Sequence, residues 1–488
     1  MQHRDSTQKG LEGLKRRAAE LLAAVALLAA LMAGAWMLLT RKGPAAGPIT
    51  LPEANRPSYT LHLRTTDDGR TLTVSEEIRW TNQESGRIDD LCLRFDAAAY
   101  VQESTSPAAA ENLAEAAYPD GFEAASIALE GCWVNGVLTD ARFDTDRPFL
   151  LRIKSPLEPG ETAEITLNLR LGVPECASLF GKTGDTIRLI QALPAVAART
   201  DKGWDVSPMS PYAEPQDMDL SDVRITADLP EGWQLITGAD TGSNVIAALI
   251  VTGERSKASA RVNGLTVTAW AETDQRSRAL LDAARKILPV YMRLYGQLPL
   301  QELTLMDLAL TDTGAAAPGL VLVDDSLTGA DLEHRLAYWL AGQWFGWALR
   351  ADRYAESWIL CSLRQRAALR YIRETAGADA EADLRTLWVE LPMRENLHAA
   401  VTPGTAADGF PDLYTFRAVM DGRGTAFLYA LDTWMDGRLD TLITELFRER
   451  AFTRIGRKTL ADGIMKATSR DIGPLMLDWL DTYIQEKP

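Results

Sequence analysis

The pattern of apolar and polar residues divides the chain into three regions with different periodicity. An uncharged apolar run, Leu21 to Thr40, comes first, and short stretches that alternate apolar and polar residues follow it. Beyond about residue 273, apolar residues recur every three or four positions. Alternation predicts half-buried strands, and the longer period predicts amphipathic helices. The pattern therefore predicts an apolar helix, a strand-rich region and a region that becomes mostly helical.

Strands are predicted where the alternation is rich in β-branched residues, and turn signals such as Asn135-Gly136 and Pro159-Gly160 separate many of them. The predicted strands are Tyr59–Arg64, Thr71–Trp80, Asp90–Phe95, Ala125–Val134, Phe149–Ile153, Thr162–Leu171, Ile187–Ile190, Val223–Ala227 and Leu265–Trp270. Many short strands joined by turns favour an antiparallel sandwich or a saddle-shaped sheet over residues 58–272.

The region 273–488 is predicted to be an α/β domain with a helical C-terminal half. Its predicted elements are a strand at Leu303–Leu310 and helices at Gln275–Tyr295, Arg335–Trp347, Glu356–Glu374, Ala378–Glu390, Gly424–Asp436, Leu439–Arg448 and Asp471–Ile484.

The first apolar run has the length and composition of a transmembrane helix. Leu21 to Thr40 contains twenty residues without a charge, about the number that crosses a bilayer as a helix. More basic residues precede the run than follow it, so the positive-inside rule places residues 1–20 in the cytoplasm. We expect a single-pass protein of the cell membrane, with a linker at 41–57 and the bulk outside. A cleaved signal peptide is the alternative, since Ala33-Gly34-Ala35 resembles a cleavage site.

Composition and charge narrow the functional classes. The 488 residues are 46% hydrophobic and 24% charged, which is typical of globular proteins. The net charge of −16 argues against a nucleic-acid partner. Cys92 and Cys132 lie in predicted strands, and the sequence leaves open whether they pair or remain buried thiols.

One segment of the C-terminal region resembles a known family. Gly342-Gln343-Trp344-Phe345-Gly346 is similar to the end of the HELAHQWFG helix of the aminopeptidase N family of gluzincin metallopeptidases. Other landmarks follow in the family's order: Gly203-Trp204, Leu229 to Trp233, Tyr295 to Pro299, Gly314 to Val321 and Gly424 to Leu431. The resemblance covers about residues 58–485. It implies an N-terminal β domain (58–272) followed by a thermolysin-like peptidase domain (273–488).

The resemblance also implies that the zinc site is degenerate. Aligning QWFG places Tyr338 at the first histidine ligand, Trp339 at the general-base glutamate and Gly342 at the second histidine. The third ligand falls on Cys361. Ala316 takes the position that holds the substrate amine, and Asp421 that of the oxyanion-stabilising tyrosine. We therefore expect no catalytic residues, no metal ligands and no cofactor, although the family uses zinc.

These features predict an aminopeptidase-like pseudoenzyme, anchored in a membrane, whose ectodomain binds a peptide or protein or acts as a scaffold. The predicted groove residues are Gly314, Pro318, Gly319, Tyr338, Trp339, Gly342, Trp344 and Cys361.

Two alternatives come from other functional classes. An active zinc aminopeptidase or other hydrolase would need displaced ligands, for which His334, Glu333, Glu356 and Cys361 are the local candidates. A purely structural module would use none of these residues.

Overall fold

A computed structural model describes residues 47–53, 55–66 and 68–483, which fall within one compact unit. The strands are β1 (Ser58–Thr65), β2 (Thr71–Thr81), β3 (Leu91–Arg94), β4 (Ser126–Val134), β5 (Val137–Leu138), β6 (Ala141–Phe143), β7 (Leu150–Ile153), β8 (Thr162–Gly172), β9 (Phe180–Thr183), β10 (Thr186–Ile190), β11 (Ala195–Val196), β12 (Arg199–Thr200), β13 (Gly203–Trp204), β14 (Asp222–Asp228), β15 (Gln234–Thr237), β16 (Ala247–Val251), β17 (Ser256–Val262), β18 (Leu265–Ala271), β19 (Glu302–Leu308), β20 (Gly314–Ala317), β21 (Leu320–Asp324), β22 (Leu349–Arg350) and β23 (Thr453–Arg454). The α-helices are α1 (Ala114–Ala117), α2 (Asp274–Tyr295), α3 (Gly329–Ala341), α4 (Ser357–Ala376), α5 (Ala378–Arg385), α6 (Leu391–Glu395), α7 (Leu413–Arg417), α8 (Gly424–Trp434), α9 (Leu439–Arg450), α10 (Arg457–Thr468) and α11 (Gly473–Met476).

The first half of the described chain consists of layered sheets. A six-stranded sheet has the order β14-β1-β2-β8-β4-β5, and a four-stranded sheet has the order β11-β3-β7-β6. In β2, Leu72 and Val74 are buried while Ser75 and Glu77 are exposed, as the period-two pattern requires. Apolar residues of both sheets share one core, so the two sheets pack face to face. One pairing departs from the predicted antiparallel order, because β14 joins β1 in parallel.

The second half is built on a five-stranded sheet with the order β17-β18-β19-β21-β20. The strands β18, β19 and β21 run parallel, and each edge strand is antiparallel to its neighbour. Helix α2 follows β18 and starts at a cap in which the Thr273 hydroxyl accepts a hydrogen bond from the Arg276 amide at 3.2 Å. The helices and this sheet share a second large core.

The two halves meet through a third core and a buried ion-pair cluster. Ile236 and Leu249, from the sheet β15-β16-β10-β9, pack with Leu322 of β21. Nearby, the buried carboxylate of Asp217 accepts from Arg350 Nε at 2.5 Å and from Arg454 Nη2 at 2.7 Å. The sheet half therefore supplies the carboxylate of this cluster, and the helical half supplies its two arginines.

The predicted transmembrane helix finds no support in the structure. Within the described ranges, no helix combines the length and the apolar character that crossing a bilayer requires. The predicted span, Leu21 to Thr40, lies outside those ranges. The predicted fold class is therefore corrected to mixed sheets and helices without that helix. The single-pass cell-membrane localisation that rested on the helix is withdrawn with it.

Some of the other sequence predictions are confirmed, and others are wrong. The predicted strands all occur with their ends shifted by a residue or two, and the predicted helix Gln275–Tyr295 is present as α2. The predicted helix Arg335–Trp347 is displaced, because α3 begins at Gly329 and ends at Ala341. Cys92 and Cys132 are buried free thiols in different sheets. Part of the predicted linker is packed, since the Ile49 amide donates to the Gln297 carbonyl at 2.8 Å and its side chain is buried.

Candidate functional site

Helix α3 carries Tyr338 and Trp339, two of the positions aligned by the resemblance, and its end packs closely on the edge strand β20. Gly342 follows the last residue of the helix, and a Cβ placed on it would lie 2.7 Å from the Ala316 Cβ. Gln343 fixes the adjoining turn, because its Oε1 accepts from the Gly319 amide at 2.9 Å and its Nε2 donates to the Ala317 carbonyl at 2.8 Å. The two small residues therefore allow the helix and the strand to approach each other.

Tyr338 and Asp421 are brought into direct contact. The Tyr338 hydroxyl donates to Asp421 Oδ1 at 2.8 Å, and both side chains are buried. Arg417 lies beside them, with its Nη1 donating to the Tyr338 oxygen at 3.1 Å and to Asp421 Oδ2 at 3.4 Å. Arg417 also binds Asp312, in the loop before β20. We call Tyr338, Asp421, Arg417 and Asp312 the buried network.

Burial and neighbouring charges set the protonation of this network. Burial, followed by the nearby Asp421, holds the pKa of Tyr338 well above its ordinary value, so the hydroxyl keeps its proton. Burial raises the pKa of Asp421, although Arg417 and Arg335 oppose the shift. Burial by itself would lower the pKa of Arg417, but Asp312, Tyr338 and Asp421 together outweigh it, so the guanidinium stays charged.

Cys361 lies on α4, next to the buried network. Burial, with the Asp421 carboxylate adding to it, raises the pKa of the Cys361 thiol to about 12, while Arg417 and Arg364 oppose the rise. Both metal ligation and nucleophilic attack use the thiolate. Without a bound metal ion, Cys361 is therefore a protonated thiol at neutral pH, which disfavours nucleophilic attack.

The residues at the family's ligand positions do not fit zinc. Zinc takes imidazole, thiolate or carboxylate ligands in a tetrahedral arrangement. The Tyr338 hydroxyl is already hydrogen-bonded to Asp421 and Arg417, and Gly342 has no side chain, so of these three positions only Cys361 offers a zinc ligand. In the described ranges, no three His, Cys, Asp or Glu residues are grouped closely enough to hold a metal ion.

His334 lies on α3 in an apolar setting. Its ring stacks on Trp388 with centroids 4.9 Å apart, and its Nε2 is 3.2 Å from the amide nitrogen of Gln365. Burial, with the positive charge of Arg335 adding to it, holds the pKa of His334 well below its ordinary value. The imidazole is thus neutral at physiological pH.

The other residues considered for a displaced site have separate structural partners. Glu333 accepts from the Tyr371 hydroxyl at 2.6 Å and from Lys286 Nζ at 3.3 Å. Glu356 accepts from the backbone amide of Arg457 at 2.9 Å, at the start of α10. The structure does not gather His334, Glu333, Glu356 and Cys361 into one cluster.

A cleft opens beside the buried network, between the sheet half and the helical half. Its volume is about 90 Å³, and its lining is mostly apolar. Gly314 of β20 and Trp339 of α3 form part of one wall, and the Trp339 indole nitrogen donates to the Thr313 hydroxyl at 3.1 Å. The opposite wall includes Tyr100 and Met209 from the sheet half. The cleft therefore lies beside the buried network, which includes Tyr338, the residue that the resemblance aligns with the family's first histidine ligand.

The predicted groove residues occupy different places. Gly314 and Trp339 line the cleft, and Cys361 lines a smaller chamber that continues it. Trp344 lies in the core, where its indole nitrogen donates to the Gly296 carbonyl at 2.8 Å. The remaining predicted residues are packed around the turn after α3 or in the buried network: Pro318, Gly319, Gly342 and Tyr338.

Several charged residues of the cleft escaped the sequence analysis. Asp96 is buried in the wall, with Arg94 Nε 3.5 Å from its Oδ1, and neither carboxylate oxygen has a hydrogen-bond partner among the described residues. Glu214 pairs with Arg364 at 2.7 Å. The sequence could have indicated Arg364 as a site residue, because it lies one helical turn after Cys361 on the same face of α4. Glu214 lies in a loop of the sheet half and gave no comparable signal.

Sequence comparisons with known proteins do not assign this chain to a family. No protein-family model matches the chain, and no curated protein matches its sequence. The resemblance to the aminopeptidase N family therefore rests on the motifs quoted above.

Proposed function

We propose that this protein is a non-catalytic relative of the aminopeptidase N type that binds peptides in the cleft between its two halves. One observation carries the proposal. Tyr338, which the resemblance aligns with the first histidine ligand, is hydrogen-bonded to Asp421 and Arg417, while a cleft remains beside these residues. A filled metal position next to a retained cavity favours binding without zinc chemistry.

The buried network explains why filling these positions is stable. A cluster of unpaired ionisable groups is costly in a protein interior. Here the Tyr338 hydroxyl, the Asp421 carboxylate and the Arg417 guanidinium form mutual hydrogen bonds. The network needs no ion to balance its charge. The candidate displaced ligands Glu333 and Glu356 are each bound by other groups, which argues against the displaced-ligand hydrolase.

A peptide is the favoured ligand because an edge strand borders the cleft. Strand β20 is the last strand of its sheet, and the Asp324 amide donates to the Thr313 carbonyl at 3.1 Å. In an antiparallel pair, alternate residues bond to the neighbouring strand. The backbone groups of Gly314 and Ala316 consequently point away from β21. An extended peptide can add to such an edge through main-chain hydrogen bonds.

The binding test uses the full-length protein and a fluorescent library of four- to eight-residue peptides. We expect at least one pool to bind with a dissociation constant in the micromolar range, and Ala213→Trp to abolish the binding, because Ala213 lines the cleft. Ala380→Trp is the matched control, since Ala380 is also half-buried against the helical core but lies outside the cleft. Binding that survives Ala213→Trp would contradict the proposal.

The catalytic test combines metal analysis with a panel of aminoacyl fluorogenic substrates. We expect no stoichiometric zinc in the purified protein and no turnover that a chelator removes. Zinc at one ion per chain, together with chelator-sensitive hydrolysis, would favour the displaced-ligand hydrolase instead.

A further inference from the structure

The cleft continues into a smaller chamber whose wall is rich in arginine. This chamber has a volume of about 20 Å³ and shares Tyr212, Glu214 and Trp339 with the larger cleft. Three arginines and one carboxylate line it: Arg353, Arg364, Arg417 and Glu214. We call this the arginine chamber. Such a concentration of positive charge contrasts with a protein whose net charge is −16.

The guanidinium group of each of these three arginines donates hydrogen bonds to other groups of the protein. Arg353 donates to the Pro215 carbonyl at 3.0 Å and to the Gly346 carbonyl at 3.2 Å. Arg364 donates from Nε to the Phe345 carbonyl at 2.6 Å. With the bonds of Arg417 in the buried network, these contacts fix all three side chains. The chamber is thus preorganised.

One buried nitrogen of each arginine has no hydrogen-bond partner within the described part of the chain. These nitrogens are Arg353 Nε, Arg364 Nη2 and Arg417 Nε. A buried donor without an acceptor costs about 1–3 kcal/mol, so unpartnered nitrogens on three arginines that line one chamber favour an acceptor within it. Arg353 and Arg364 are each more than nine-tenths buried.

The charge of the chamber selects an anion. Burial by itself would raise the pKa of Glu214, but Arg364 and Arg353 outweigh it and hold that pKa below its ordinary value, so the residue is ionised. Because Arg417 is already paired with Asp312, the excess positive charge of the chamber comes from Arg353 and Arg364 against the single ionised Glu214. Its Oε1 is the acceptor in this set that has no partner among the described residues. An anion with oxygen acceptors matches the donors better than a cation matches this single oxygen.

We propose that the arginine chamber binds a carboxylate carried by the ligand of the cleft. Arginine N–H groups recognise carboxylates through charge-assisted hydrogen bonds. The small chamber suits a carboxylate, and the mostly apolar cleft, with Met209 and Leu179 in its wall, suits an apolar side chain attached to it. The inference rests on the proposed function for its peptide, although a small carboxylic acid tests the chamber on its own.

The experiment titrates the full-length protein with N-acetyl-leucine and with N-acetyl-leucinamide by calorimetry. The two probes differ in the carboxylate, so we expect the acid to bind about tenfold or more tightly than the amide. Equal affinity for both would overturn the proposal. So would the absence of acid binding, because the three donors would then be satisfied by water.

Two substitutions with opposite expected effects test the chamber residues. Arg353→Lys keeps the charge but removes the planar donors, and we expect it to weaken acid binding about tenfold. Glu214→Gln removes the opposing negative charge, and we expect it to tighten binding about fivefold, a gain that misfolding would not produce. Arg366→Lys is the control, because Arg366 is equally buried but pairs with Asp432 and Asp440 outside the chamber. A loss of affinity in Glu214→Gln protein of unchanged melting temperature would contradict the proposal.

Peptides identify the source of the carboxylate and separate the two proposals. Matched pools with free or amidated C-termini, each with and without Asp and Glu, distinguish a terminal carboxylate from a side-chain carboxylate. If all pools bind equally and Ala213→Trp abolishes binding, the cleft binds peptides and the carboxylate proposal fails. If N-acetyl-leucine binds and no peptide does, the chamber stands and the peptide-binding function fails.

Discussion

The Tyr338 hydroxyl donates a hydrogen bond to Asp421 Oδ1 at 2.8 Å, joining two positions that lie 83 residues apart in the chain. In the resemblance to the aminopeptidase N family, Tyr338 stands where a histidine ligand belongs, and Asp421 where a tyrosine belongs. Their direct bond shows that two positions singled out by the resemblance are in contact in the fold.

Removing the Tyr338 hydroxyl should destabilise the protein. We expect Tyr338→Phe to lower the free energy of unfolding by about 1–3 kcal/mol, because the buried Asp421 carboxylate loses its donor. Urea denaturation monitored by tryptophan fluorescence measures the change. Tyr483→Phe is the control, since that tyrosine is 52% exposed, and its effect should stay within about 0.5 kcal/mol. Equal stability of the wild type and Tyr338→Phe would show that the network does not support the fold.

The contact between helix α3 and strand β20 can be tested by a double-mutant cycle. A methyl group at residue 342 would lie 2.7 Å from the Ala316 Cβ, so Gly342→Ala should cost about 1–3 kcal/mol. Ala316→Gly removes the opposing methyl and should recover part of that loss in the double variant. Strict additivity of the two single changes would indicate that the residues do not touch.

Asp217 should make the protein sensitive to acid. Burial by itself would raise its pKa, but Arg350, Arg454 and Arg353 outweigh burial and hold the pKa well below the ordinary value of 3.8. A depressed pKa contributes stability that is present above pH 3.8 and is lost as the pH falls below it. We expect Asp217→Asn to cost about 3–5 kcal/mol at pH 7 and to flatten the acid limb of the stability profile. Asp228→Asn, at an exposed ion pair, should leave the stability almost unchanged.

Glu76 should produce the opposite pH dependence. It lies in the core of the six-stranded sheet, neither carboxylate oxygen has a hydrogen-bond partner among the described residues, and burial raises its pKa well above 4.5. A carboxyl with a raised pKa contributes stability that is fully present below pH 4.5 and falls by at most about 1.4 kcal/mol per pH unit as the pH rises.

The substitution Glu76→Gln should remove that decline between pH 4.5 and 8, and Glu76→Leu should raise stability at pH 7. Denaturant titrations across this range measure both effects. Glu77→Gln provides the control, since Glu77 is the neighbouring residue on the exposed face of the same strand. If the wild type and Glu76→Gln have parallel profiles, Glu76 does not titrate as a buried acid.

Local sequence patterns predicted the elements whose two faces differ in burial. The alternation in Thr71–Trp80 and the helical period in Gln275–Tyr295 identified β2 and α2 almost to the residue. Strand β16 was missed because all five of its residues are buried and it shows no alternation. The motif alignment located Tyr338, Trp339 and Cys361 near the cleft. Their new partners could not be predicted, because Arg417, Asp312 and Glu214 approach through tertiary packing between distant segments.

The cluster around Asp217 has a consequence for how the protein unfolds. The acid comes from the sheet half, and its arginines, Arg350 and Arg454, come from the helical half. Separating the halves would break these ion pairs and would also expose to water the apolar core that joins the halves. The apparent boundary near residue 273 should therefore not behave as a boundary in calorimetry. The region 47–483 should melt in one cooperative transition, with amides of both halves exchanging through the same global opening.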